Sequence, residues 1–213
     1  MVEANGGFGL SDHLDALDAM ADNLGIADVR HIVGGHSMGG ILALHWAARH
    51  RERVERVVTW GAPLQTSREA ALAAIDRMGF VERLFVLDTS VSRAVCAWSC
   101  AHRELAGWLA TATSPEVPVA LARQGVLHTW AAYRGVLEEV ILASDWQPAI
   151  EALDAQGVPM VLARGARDPV ADAAVVDRLA SRYERVAALT HPTAGHELPL
   201  SDPPWCVREV ADA

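Results

Sequence analysis

Residues 35–39 read Gly-His-Ser-Met-Gly, and Gly40 stands directly behind them. A serine hydroxyl is a weak nucleophile until a positioned base removes its proton. The pattern G-x-S-x-G provides a suitable place for such a serine when it lies between a strand and a helix, because the turn is sharp and exposes the hydroxyl. Ser37 is therefore the candidate nucleophile. Its flanking glycines are predicted to prevent collisions with the adjoining strand and helix.

The segments on either side of this pattern predict the strand and the helix that it requires. Residues 29–33 are a short β-branched run that predicts a strand ending at two glycines, and apolar residues recur at helical spacing from Met38 onward. A helix that begins at Met38 presents backbone N–H groups and the positive end of its dipole. We therefore expect the Met38 N–H to donate to an oxyanion formed beside Ser37.

The base and the orienting carboxylate that a catalytic serine needs both occur later in the chain. Asp168 follows a predicted strand at 158–163, and His196 follows a second predicted strand at 186–190. Loops after parallel strands meet at one edge of a sheet, so both side chains are expected near Ser37. Asp172 is the alternative acid, because predicted loop lengths vary by a few residues.

Several other reactive or aromatic side chains are assigned to structural roles. His36 is expected either to pack beside the site or to support its residues without touching the substrate. No motif adjoins six other histidines, which are assigned to the surface or the core: His31, His45, His50, His102, His128 and His191. Four tryptophans could line a substrate cleft, although helix packing is the simpler interpretation: Trp98, Trp108, Trp130 and Trp146. The three cysteines, Cys96, Cys100 and Cys206, are predicted to be free thiols rather than zinc ligands or disulfide partners.

The chain as a whole predicts an α/β fold, a predominantly parallel sheet with flanking helices. An amphipathic helix at 12–24, a strand at 54–60 and a helix at 171–183 alternate with the segments described above. Residues 64–147 lose the strand signals and predict a helical cap, with Ser114 and Pro115 at the start of one of its helices. We therefore expect a core from 1–63 and 148–213.

Composition narrows the classes of partner. The 213 residues contain 18 Lys and Arg against 27 Asp and Glu, a net charge of -9, which argues against nucleic acid as a ligand. No apolar run is long enough to cross a bilayer and no signal peptide is recognisable, so a cytoplasmic protein without a membrane partner is expected. Composition does not determine the oligomeric state.

The three short motifs resemble those of the α/β-hydrolase superfamily, in particular its serine esterases and lipases with a helical cap. Gly-His-Ser-Met-Gly-Gly resembles the nucleophile turn, Gly-Ala-Arg-Asp-Pro-Val the acid turn and Ala-Gly-His the histidine loop. The resemblance implies that Ser37 is the nucleophile, His196 the base and then the acid, Asp168 the orienting carboxylate and the Met38 N–H an oxyanion donor. It implies no cofactor and no metal.

The activity implied by the resemblance is hydrolysis of a small-molecule carboxylic ester, or a related acyl bond, through an acyl-serine intermediate. The same fold carries acyltransferases and carbon–carbon bond hydrolases, which remain alternatives. A catalytically impaired binding protein is a further alternative. The acyl group and the leaving group stay open.

One segment departs from the family pattern. Residues 7–12, Gly-Phe-Gly-Leu-Ser-Asp, resemble a turn that in the family follows the fourth strand, yet here they stand at the start. This resemblance implies that the first strands are missing, together with the loop that supplies a second oxyanion N–H. Removal of one such donor lowers the rate about a hundredfold to a thousandfold, so weak activity is expected of this chain by itself.

Overall fold

A computed structural model describes residues 7–113, 117–143 and 145–212 of the chain. Its centre is a sheet of four parallel strands in the spatial order β1-β2-β3-β4: β1 (His31–His36), β2 (Val54–Trp60), β3 (Met160–Gly165) and β4 (Val186–His191). The predicted α/β architecture with a parallel sheet is confirmed. All four strands run in the same direction, so their carboxyl ends share one edge of the sheet.

Helices connect and cover these strands. In chain order they are α1 (Leu10–Asn23), α2 (Met38–Arg49), α3 (Arg68–Met78), α4 (Phe80–Val86), α5 (Ser90–Ala101), α6 (Arg103–Thr113), α7 (Val119–Gly125), α8 (Trp130–Val136), a π-helix (Leu137–Leu142), α9 (Gln147–Ala155), α10 (Ala173–Arg182), α11 (Leu198–Ser201) and α12 (Pro203–Asp212). The described part of residues 64–147 contains helices and no strand. The helix start predicted at Ser114 and Pro115 lies outside the described residues.

The main core lies between the sheet and the helices on one of its faces. Side chains of β2 and β3 pack there against α2, α9 and α10 in a cluster that includes Ile41, Leu44, Val57, Ile150, Leu153, Met160, Leu162 and Leu179. Successive strand side chains point to opposite faces, so the neighbouring residues Val58 and Val161 are buried on the other face, with Trp205 of α12 against them. Helices on both faces therefore hold the sheet.

Helix α1 is attached to α2 through the carboxylate of Asp18. Its Oδ1 accepts from Trp46 Nε1 at 2.7 Å and lies 2.8 Å from His50 Nε2, and its Oδ2 accepts from Arg49 at 2.7 Å. Burial alone would raise the pKa of Asp18, but the hydrogen bonds from Arg49, His50 and Trp46 outweigh it and hold that pKa below its ordinary value. This anchor lies at the carboxyl end of α2.

The predicted bounds of the elements differ from the observed ones mainly at β1. This strand was expected to end at Val33, but it continues through Gly34 and Gly35, which pair with Val58 and Thr59 of β2. In the part of the chain that the structure describes, β1 pairs with β2 alone, and Ile32 on it is 44% exposed. Across the described residues, no helix combines the length and apolar character that a bilayer span requires.

Candidate active site

Ser37 stands on the turn between β1 and α2, at the carboxyl edge of the sheet. Its φ of 54° makes it the one non-glycine residue with a positive φ among the described residues. This conformation is unfavourable for a residue with a side chain, and here the backbone N–H of Ser37 donates to the carbonyl of Trp60 at 2.8 Å. The strained turn expected from the sequence is present, and α2 begins at the next residue, Met38.

The glycines around Ser37 have different reasons to be glycine. A Cβ on Gly35 would lie 2.0 Å from the Gly39 carbonyl oxygen, and one on Gly40 would lie 2.7 Å from the Ala62 Cβ. A Cβ on Gly39 would meet no described heavy atom within 4 Å outside its own helix and chain neighbours. The predicted crowding is thus correct for Gly35 and wrong for Gly39, because Gly40, not Gly39, faces β2.

We expect Gly35→Ala and Gly39→Ala to affect stability in opposite directions. The added methyl at Gly35 must displace backbone atoms and should lower the free energy of unfolding by about 3 kcal/mol or more. The same methyl at Gly39 fits inside a helix and should raise that free energy by up to about 1 kcal/mol. Chemical denaturation measures both values, and equal losses in the two variants would contradict this assignment.

The structure brings Ser37, His196 and Asp168 together from three separate loops. His196 Nε2 lies 2.9 Å from Ser37 Oγ, and His196 Nδ1 lies 3.1 and 3.2 Å from the two carboxylate oxygens of Asp168. An ionised carboxylate only accepts hydrogen bonds, so Nδ1 carries the proton of the neutral imidazole. Nε2 is then the free acceptor that faces the serine hydroxyl.

Asp168 is held as a fully buried carboxylate with several donors. Its side chain is 0% exposed, and Oδ1 also accepts from the backbone N–H groups of Val170 at 2.8 Å and Ala171 at 3.2 Å. Such donors satisfy a charge that burial alone would make costly. The alternative acid, Asp172, instead caps α10 by accepting from the N–H groups of Ala174 and Val175. The geometry therefore favours Asp168 as the partner of His196.

Gly61 is a site residue that the sequence interpretation missed. It follows β2 with a φ of 63°, and a Cβ there would lie 2.9 Å from Asp168 Oδ2 and 3.0 Å from His196 Nδ1. Glycine at this position leaves the space in which the carboxylate and the imidazole meet. The segment Trp60-Gly61-Ala62 carries no motif, so the only local signal was a glycine directly after a predicted strand.

His36 lies against the loop that carries His196. Its Nε2 is 2.8 Å from the His196 carbonyl oxygen, to which it can donate, and 4.0 Å from a carboxylate oxygen of Glu197. Ligand atoms of His36, His196 and Glu197 lie within 4.8 Å of one another, so these are the described residues that could hold a metal ion. Any ion there would compete with Ser37 or Asp168 for His196.

The other side chains singled out from the sequence differ in burial. Trp146 is buried and donates to the Gln65 carbonyl at 3.0 Å, whereas Trp108 is 62% exposed. The three cysteines are free thiols, as expected, and burial raises the pKa of Cys206 to about 11. A thiol with such a pKa stays protonated near neutral pH and is a poor nucleophile.

The sequence of this chain matches a known protein family. The sequence model of the alpha/beta hydrolase fold matches residues 3–203. A homoserine O-acetyltransferase of Leifsonia xyli subsp. xyli is 48% identical over 54 residues, which cover 25% of this chain and 13% of that protein's length. This local match spans too little of the acetyltransferase to carry its whole activity over.

Solved structures show the same fold at low sequence identity. A structure from a study of carboxylesterases of Nitrososphaera gargenis has a TM-score of 0.67 at 14% identity and covers 99% of this chain and 73% of its own. The enol-lactonase of Burkholderia xenovorans LB400 has a TM-score of 0.66 at 22% identity, with 99% and 74% covered. At these identities the likeness establishes the fold alone.

Proposed function

The chain belongs to the α/β-hydrolase fold family, and we propose that it is a serine hydrolase that cleaves a carboxylic ester or a related acyl bond through an acyl-serine intermediate. One observation carries the proposal: His196 lies 2.9 Å from Ser37 Oγ on one side and 3.1 Å from Asp168 on the other. Both distances are within the reach of direct hydrogen bonds, which a nucleophile, its base and the orienting group require.

In the proposed first half-reaction, Ser37 Oγ attacks the carbonyl carbon of the ester while His196 Nε2 takes the hydroxyl proton. Asp168 keeps the Nδ1 proton facing its carboxylate and stabilises the imidazolium that forms. The tetrahedral intermediate collapses when Nε2 returns the proton to the leaving oxygen. The products of this half-reaction are the free alcohol and an ester of Ser37.

Negative charge on the carbonyl oxygen must be stabilised while the tetrahedral intermediate exists. We assign this role to the backbone N–H of Met38, the first residue of the twelve-residue helix α2, where unpaired N–H groups and the helix dipole both favour an anion. In the second half-reaction water replaces the serine, with His196 removing its proton. This step releases the carboxylic acid and restores Ser37.

We propose that residues 64–147 form a cap over this edge of the sheet and influence which substrates enter. One contact joins the start of this segment to the core, since Gln65 Nε2 donates to the Val170 carbonyl at 2.8 Å. A second contact joins the two ends of the segment to each other, since Trp146 Nε1 donates to the Gln65 carbonyl. Val170 also donates its N–H to Asp168, so the base of the proposed cap lies beside the acid turn.

Acyl transfer to an acceptor other than water is a second candidate function. The local 48% identity to a homoserine O-acetyltransferase favours it, and a transferase would use the same acyl-serine intermediate. The two candidates differ only in the second half-reaction. They predict different products from one acetylated enzyme, the free acid in water alone or an O-acetyl product when a hydroxyl acceptor such as homoserine is added.

A series of p-nitrophenyl esters tests the proposed function. We expect release of p-nitrophenolate with short acyl chains and, in a series from acetyl to decanoyl, a sharp fall in kcat/KM beyond the chain length that the cap excludes. Addition of homoserine should leave the acid as the product if the chain is a hydrolase. If the protein releases no p-nitrophenolate and does not react with a fluorophosphonate probe, it is instead a binding protein of this fold.

A further inference from the structure

His191 ties together the two loops that carry the acid and the base. It is the last residue of β4, where it pairs with Gly165 at the end of β3, and its carbonyl accepts from the Ala166 N–H at 2.8 Å. A second backbone hydrogen bond joins the same two loops, since the Arg167 N–H donates to the Ala194 carbonyl at 3.0 Å. The turn that carries Asp168 and the loop that carries His196 are therefore joined through their backbones.

The imidazole of His191 accepts hydrogen bonds from backbone N–H groups of the loop that carries His196. Its Nδ1 accepts from the N–H groups of Ala194 at 2.9 Å and Thr193 at 3.3 Å. Because Nδ1 receives donors, the proton of the neutral ring lies on Nε2, which faces Asp202 Oδ2 at 3.2 Å. One ring thus connects the turn at residues 193–194 to a carboxylate at the start of α12.

The loop that carries His196 is closely packed against its neighbours. Ala194 is buried with Leu198 and Cys206, and the edge of the His191 ring meets Trp205 at 5.2 Å between centroids. A Cβ on Gly165 would lie only 2.3 Å from the Ala194 carbonyl oxygen, which shows how closely the two loops approach. A buried N–H such as that of Ala194 needs an acceptor, and His191 supplies it.

We propose that His191 is a positioning residue for His196: its Nδ1 fixes the turn at residues 193–194 and thereby holds His196 Nε2 within hydrogen-bonding distance of Ser37. The inference rests on the proposed function, since it deepens the assignment of His196 as the base. The required chemistry is an acceptor at the Nδ1 position. Neither the charge of the ring nor its contact with Asp202 is needed for this role.

Three replacements of His191 separate the acceptor from the rest of the ring. In His191→Asn the side-chain amide oxygen can occupy the Nδ1 position, whereas in His191→Gln it lies one bond further out, and His191→Leu has no acceptor. We expect kcat for p-nitrophenyl acetate to fall about tenfold to a hundredfold in the Leu and Gln variants, with KM little changed. The Asn variant should stay within about threefold of the wild-type kcat, because it keeps the Ala194 contact.

His50→Leu is the matched control. His50 is also a partly buried histidine paired with a carboxylate, 2.8 Å from Asp18, but it lies at the end of α2 away from the catalytic loop. Its loss should lower the melting temperature without lowering kcat. If His191→Leu does not fold, the comparison of His191→Asn with His191→Gln still shows whether an acceptor at the Nδ1 position is needed.

Amide hydrogen exchange gives a readout that does not depend on activity. The Ala194 N–H should exchange slowly in the wild type and in His191→Asn, and at least tenfold faster in His191→Gln. Equal exchange and equal kcat in these variants would overturn the inference while leaving the proposed function intact. If the wild type hydrolyses no ester, the proposed function fails, and the exchange rates alone decide whether His191 holds the loop.

Discussion

Ser37→Ala should remove ester hydrolysis and fluorophosphonate labelling together. Without the hydroxyl there is no nucleophile for His196 to activate, and kcat should fall by about 10⁶, as when the serine of a Ser-His-Asp triad is removed. The fold should persist, because the Ser37 contacts that shape the turn are made by its backbone N–H and carbonyl groups. Initial rates with p-nitrophenyl acetate and in-gel labelling measure the two effects.

Ser67→Ala is the control for this variant. Ser67 is an exposed residue outside the triad, and its hydroxyl accepts from the Ala70 N–H at 3.2 Å to cap α3. Loss of this cap should lower the free energy of unfolding by about 1 kcal/mol and leave kcat unchanged. A Ser37→Ala protein that keeps more than about a tenth of the wild-type kcat would contradict Ser37 as the nucleophile.

Asp168→Asn should lower kcat by about 10⁴ with little change in KM. An amide at this position can present its NH₂ group to His196 Nδ1, which then becomes the acceptor and leaves the proton on Nε2, facing Ser37. The imidazole can no longer remove the serine proton. Steady-state kinetics with p-nitrophenyl acetate measure the loss, and circular dichroism reports whether the fold is retained.

Asp172→Asn distinguishes the two candidate acids. Asp172 caps α10, and an asparagine oxygen can accept from the same Ala174 and Val175 N–H groups, so both kcat and stability should stay close to the wild type. The reverse pattern, with a large loss of kcat in Asp172→Asn and a small one in Asp168→Asn, would exchange the two assignments.

Most of the sheet could be predicted from the sequence, because each strand contains a short group of β-branched or other apolar residues. The predicted bounds of β2 and its observed bounds are both 54–60. The predicted end of β1 was too early, because the strand's last residues include Gly34 and Gly35, which have low intrinsic strand propensity. Pairing with Val58 and Thr59 extends the strand, and such pairing is not visible in the local sequence.

Some residues of the candidate site can be recognised from the sequence around them, whereas others depend on contacts between distant segments. Ser37, Asp168 and His196 could be found because each follows a strand in a recognisable motif. Gly61 and His191 could not, because their importance depends on which loops meet. Gly61 leaves space for side chains more than 100 positions away in the chain. His191 ends β4 and contacts the following loop, which carries His196 and whose shape the sequence does not specify.

Acid quenching during turnover, followed by peptide mass spectrometry, tests the acyl-serine mechanism most directly. With p-nitrophenyl acetate, the peptide containing Ser37 should gain the mass of one acetyl group, and fragmentation should place that group on Ser37. The modification should be absent from Ser37→Ala and should accumulate in a variant with slow deacylation. Turnover of the ester with acetyl found on another residue, or on none, would contradict the account.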